Sequence, residues 1–109
     1  MAFSDELASR VRDTLAGTVG LSERKMFGGL AFMINGHMCC GIVGDELMVR
    51  VGPTAYATSL AQPHGREMDF TGKPLKGMVY VEVEGIQNDD QLRRWIERGT
   101  DFAGSLPPK

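Results

Sequence analysis

Lys25-Met26-Phe27-Gly28-Gly29-Leu30-Ala31-Phe32-Met33-Ile34-Asn35-Gly36-His37-Met38-Cys39-Cys40-Gly41-Ile42-Val43-Gly44-Asp45-Glu46-Leu47-Met48-Val49-Arg50-Val51 is the stretch that decides the fold. Asn35-Gly36 lies between two apolar runs. Both central residues of a type I′ turn need positive φ, so Asn-Gly there marks a tight hairpin. Gly44-Asp45 is a second two-residue turn, with Gly at the first central position that type II′ requires. The stretch reads as a three-stranded antiparallel meander.

Two such turns fix which side chains share a face. Ile34 then opposes His37, Phe32 opposes Cys39 and Leu30 opposes Gly41. Across the second turn Cys40 opposes Val49, Gly41 opposes Met48 and Cys39 opposes Arg50. One face carries Ala31, Met33, Met38, Cys40, Ile42, Leu47, Val49 and Val51, and is expected to be the core. The other carries Leu30, Phe32, Ile34, His37, Cys39, Val43, Glu46, Met48 and Arg50. That second face is too apolar for a sheet with one solvated side, so helices or another subunit must cover part of it. A second turn at Asp45-Glu46 would swap the faces of the third strand.

Outward from the meander, Ser4 caps a helix whose apolar stripe is Phe3, Leu7, Val11 and Leu15, with Asp5 and Glu6 suiting the positive end of the helix dipole. Thr18 to Arg24 reads as a connector anchored by Leu21. Gly52-Pro53 ends the third strand, and Thr54 caps a short helix, 55–61. Residues 62–77 read as a long irregular loop that gathers His64, Arg66, Lys73 and Lys76, and long ordered loops are often functional. Residues 78–84 alternate strictly, placing Val79, Val81 and Val83 inward. Asn88 or Asp89 caps a last helix that buries Leu92, Trp95, Ile96, Phe102 and Ala103 and turns Arg93, Arg94, Glu97 and Arg98 outward. Gly99 either leaves room for a close neighbour or interrupts that helix.

With 109 residues, 42% hydrophobic and 24% charged, the chain is expected to form one globular domain spanning residues 1–109. A net charge of −2 gives no electrostatic footprint for non-specific nucleic-acid binding. No apolar run reaches the length of a membrane span, and the N-terminus carries acids where a signal peptide carries positive charge. A cytoplasmic protein with reduced thiols is expected. A disulfide between the neighbours Cys39 and Cys40 would distort an extended strand.

Three constellations can carry chemistry. Cys39 and Cys40 with His37, and Arg50 opposite Cys39, could make a reactive thiol, since a nearby cation lowers a thiol pKa; small apolar strand residues are the plainer reading. His64, Arg66, Lys73 and Lys76 could contact phosphates, or form a solvated loop. Phe27, Phe32, Ile34, Met48 and Arg50 could form a contact face. Gly28-Gly29 lacks the third glycine and the Lys-Ser/Thr of a phosphate-binding loop. No acid pair is placed for hydrolysis, and zinc would need more ligands than this stretch offers. No cofactor is expected.

The Met26-Phe27-Gly28-Gly29 start, the strand into Asn35-Gly36, and Asp45, Leu47 and Arg50 in the third strand resemble the N-terminal domain of TfoX/Sxy-type competence regulators. Lys73-Pro74, the Val79-Tyr80 strand and the last helix with Trp95 agree with that outline. The resemblance implies an α+β fold, an antiparallel meander sheet flanked by N-terminal and C-terminal helices. It also implies a non-enzymatic role in bacterial transcription regulation through protein contacts. Longer members add a C-terminal helical domain and assist a cyclic-AMP receptor protein at competence promoters; this chain is expected to lack that second domain. The function expected is a small protein-interaction domain, most simply a homodimer, with no direct nucleic-acid or membrane contact. A thiol-based redox or electrophile sensor and a weak nucleic-acid-binding module stand as alternatives.

Overall fold

A computed structural model describes residues 4–26, 29–67 and 77–107. The chain runs α1 (Asp5–Leu15), β1 (Leu21–Met26), β2 (Gly29–Ile34), β3 (His37–Val43), β4 (Glu46–Arg50), α2 (Gly52–Leu60), β5 (Gly65–Glu67), β6 (Met78–Val81), a 3-10 turn (Val83–Gly85) and α3 (Asp89–Gly104). The strands form one antiparallel sheet in the order β1-β2-β3-β4-β6-β5. The fold is α+β, with the expected meander at its centre.

Both reversals form where the sequence places them. Asn35 and Gly36 take φ of 52° and 85°, and Gly44 takes 61°. Beyond Gly44-Asp45 the register is as expected, with Cys40 opposite Val49 and Gly41 opposite Met48. The first hairpin departs from expectation. Ile34 faces His37 and Met33 faces Met38, but Phe32 then faces Cys40 and Leu30 faces Ile42. Cys39 is an extra residue, a β-bulge, and a bulge shifts the alternation by one.

That one residue rearranges the faces. Leu30, Phe32 and Ile34 join Cys39, Cys40, Ile42, Leu47, Val49, Val79 and Val81 in the main core, under Leu7, Val11 and Leu15 of α1 and Leu92, Trp95 and Ile96 of α3. Ala31, Met38 and Met48 form a second cluster with Met33, Val43, Met78 and Tyr80. The expectation that Ala31, Met33 and Met38 share the core with Cys40 and Ile42 is therefore corrected. A strict two-residue period fails where β3 carries its additional residue.

Three further corrections concern elements. Residues 21–26 are not a connector but the edge strand β1, paired along its length with β2. Arg12 of α1 grips it, donating through Nε and Nη2 to the two carboxylate oxygens of Glu23 at 2.8 Å each. Gly65–Glu67 lies in the segment read as irregular, yet it forms β5 against β6. β6 ends at Val81: the chain turns through Gly85 N–H to Glu82 O and Ile86 N–H to Val83 O, which leaves Val83 exposed and buries Ile86 in its place.

The helices obey their caps. Ser4 Oγ accepts from Leu7 N–H at 3.2 Å, and Asn88 and Gln91 form a reciprocal capping box at the start of α3. Pro53, rather than a Thr54 cap, opens α2. Gly99 lies inside α3 against the bulge. A Cβ there would come within 2.3 Å of the Cys39 carbonyl oxygen. The glycine leaves room for a neighbour, and the helix continues through it.

Candidate functional site

The candidate residues separate into three places. Phe32 and Ile34 lie in the core beneath the helices, so they cannot belong to a contact face; the bulge puts them there. Met48 points to the other side of the sheet and is fully buried in the second cluster. Arg50 is half-buried, its guanidinium over the Phe102 ring at 5.1 Å from the centroid, an aromatic contact that holds a cation. Phe27 lies outside the described residues.

The other side of the sheet gathers a different apolar set: Met33, Met38, Val43, Met78 and Tyr80 around buried Ala31 and Met48. Among the described residues the three helices pack on the opposite side, α1 and α3 on the main core and α2 through Ala55, Tyr56 and Leu60. Met33, Val43, Met78 and Tyr80 keep part of their surface. The sequence signal was the run of methionines; the missing piece was the bulge that gathers them.

The thiols occupy the core. Cys39 and Cys40 are both free and fully buried. The hydrogen bond with Cys39, and then burial, push the Cys40 thiol well up. Reactive thiols need the reverse, an exposed and electropositive setting. Arg50 does not serve Cys39: the pairing of β3 with β4 ends at Cys40 opposite Val49, and Arg50 is engaged with Phe102. His37 Nε2 donates to the Pro107 carbonyl oxygen at 2.6 Å, tying β3 to the end of the chain's last described segment.

Of the basic residues grouped in 62–77, Lys73 and Lys76 lie outside the described residues. Arg66 stands on edge strand β5 and donates to both Glu46 oxygens at 2.5 and 2.6 Å. It also lies 3.6 Å from Glu82 and over the Tyr80 ring at 4.8 Å. Glu46 holds its guanidinium above the ordinary arginine pKa. It is a tether of the sheet rather than a free phosphate contact. His64 meets Glu82 at 3.9 Å, and His64, Glu82 and Glu84 bring one ligand atom each within 4.8 Å of one another. Such a set could hold a cation, but Arg66 already places a positive charge on Glu82.

On the far side of His64, α3, the segment that follows α2 and the 3-10 turn enclose an open concavity of about 170 Å³, lined by Gln62, Pro63, His64, Gly85, Gln91, Arg94, Trp95 and Arg98. The sequence placed Arg94 and Arg98 on the outer face of the last helix, without a signal that Gln62 and His64 would close around them. Only the pairing of β5 with β6 brings that segment over α3.

No helix among the described residues is long and apolar enough to cross a membrane. No curated protein matches the chain. The TfoX N-terminal domain description matches residues 13–103, which takes in all six strands and the whole interface of α3 with the sheet. On that coverage the chain belongs to the TfoX N-terminal domain family.

Proposed function

We propose that this chain is a non-enzymatic regulatory domain of the competence-regulator type that pairs with a second copy of itself through the methionine face of its sheet. The observation that carries the reading is the second cluster, an apolar sheet face with the three described helices on the other side. Methionine adapts its shape to a partner better than branched residues do. Arg66, Glu46 and Glu82 stand beside Tyr80, so the rim offers both signs of charge, as a self-complementary two-fold contact needs. A regulator built this way would present the pair to the transcription machinery. The buried thiols, with Cys40 held protonated, support a contact role over a thiol sensor.

Light scattering from micromolar to millimolar protein tests the reading. The wild type is expected to dimerise, and Met33→Glu to remain monomeric with its thermal transition intact. A wild type that stays monomeric throughout, or a variant that associates equally well, overturns it.

A further inference from the structure

We infer that the concavity between α3 and residues 62–64 is a binding site for the phosphate group of a small molecule. Its lining contains no carboxylate. The nearest acids along α3 are engaged elsewhere: Asp90 accepts from Arg93 at 2.7 Å, and Glu97 lies 3.6 Å from the same guanidinium. Arg94 and Arg98 stand one helical turn apart and both line the concavity, so their side chains are neighbours. Among the described residues neither has a carboxylate partner.

Arg98 is held in place without being neutralised. Its Nη1 donates to the hydroxyl of fully buried Ser59 at 3.1 Å, and its guanidinium lies over the Trp95 ring at 5.2 Å. Orientation by a neutral hydroxyl and a ring leaves the full positive charge and several N–H groups for a ligand. Arg94 is exposed and adds a second fork. Two forks, with the His64 ring and the Gln62 and Gln91 amides on the rim, match the two charges and three terminal oxygens of a phosphate monoester. A carboxylate offers one charge and two oxygens. The volume, about 170 Å³, is below the roughly 300 Å³ at which drug-sized ligand sites begin. It suits a phosphate with a short organic arm lying toward Trp95.

Trp95 is the chain's single tryptophan, so its fluorescence reports on this site alone. The full chain is titrated with inorganic phosphate, phenyl phosphate, succinate and, at matched ionic strength, sodium chloride. Phosphate or phenyl phosphate is expected to give a saturable change that chloride does not. Tighter binding of phenyl phosphate identifies an ester as the ligand, and equal binding identifies the free anion. Arg94→Gln, an exposed change that leaves the core alone, should weaken binding about tenfold or more, as loss of a charge-assisted bond does. Arg98→Gln should do the same. The proposal is overturned by a response that follows ionic strength alone, by equal binding of succinate, or by an Arg94→Gln variant that binds like the wild type. The methionine face plays no part in this readout.

Discussion

Gly99→Ala sets two effects of opposite sign against each other. In an exposed helix the change would stabilise by about 1 kcal/mol, because glycine is the poorer helix former. Here the new methyl group would lie 2.3 Å from the Cys39 carbonyl oxygen, 3.1 Å from its carbon and 3.1 Å from Sγ. The closest atom is backbone, held between the paired neighbours Met38 and Cys40, and cannot swing aside. Helix and strand must therefore part by about 1 Å, and a gap of that size forfeits up to about half of each dispersion contact along the seam. Leu92, Trp95, Ile96 and Ala103 share that seam, all of them buried. Overpacking of this kind costs about 1–3 kcal/mol, and a backbone clash belongs at the upper end. After the propensity gain, a net loss of about 2 kcal/mol remains, or a fall in Tm of roughly 10 °C for a domain of this size.

Thermal unfolding followed by circular dichroism measures it, with Gly104→Ala as the internal control. Gly104 is in the last turn of the same helix, and a Cβ there meets nothing within 4 Å. That variant should gain up to about 1 kcal/mol. If Gly99→Ala also raises Tm, helix propensity outweighs the contact and the close approach of α3 to the bulge is refuted.

Ellman's reagent should find neither thiol in the folded protein and both after denaturation; rapid labelling of the native state would contradict the burial of Cys39 and Cys40. Because the Cys40 pKa is raised on folding, its contribution to stability is complete below the unfolded thiol value of about 8.5 and is lost as pH rises beyond it. Denaturant melts of wild type and Cys40→Ala across that range should show a steeper alkaline decline in the wild type. At the other end of the pH scale, the hydrogen bond from Arg12 lowers the pKa of Glu23. The benefit is present above the unfolded carboxylate value of about 4.3 and disappears as pH falls through the folded one. Arg12→Gln should be less stable than wild type at neutral pH and indistinguishable from it in acid; a difference that persists in acid removes Glu23 from the explanation.

The parts of this fold written in local chemistry were legible. Asn35-Gly36 and Gly44-Asp45 demanded positive φ, and Ser4 and Asn88 announced the starts of α1 and α3. What escaped depended on distant partners. Leu21-Ser22-Glu23-Arg24-Lys25-Met26 carries little apolar surface because an edge strand needs it on one side at most, and Arg12 does part of the holding. Gly65–Glu67 is too short to show a period. The bulge was hidden by its own composition: two adjacent cysteines look alike to either face, so nothing local says that one is supernumerary. Phe32 and Ile34 were misassigned to the contact face for that reason. The concavity at Trp95 was illegible because its walls come from α3 and from residues 62–64, which only the sheet brings together.

The odd residue at Cys39 also constrains how this chain can change. With it, seven positions join the two reversals, and both halves of the ribbon turn their large side chains toward the helices. Deleting Cys39 would restore a regular ladder and still leave Phe32 opposite Cys40 and Leu30 opposite Ile42, so the sidedness of β2 would survive. Length in β3 is thus tolerant in one direction by a single residue. A second deletion, with no bulge left to absorb it, would shift the alternation and exchange inside for outside along half of the ribbon.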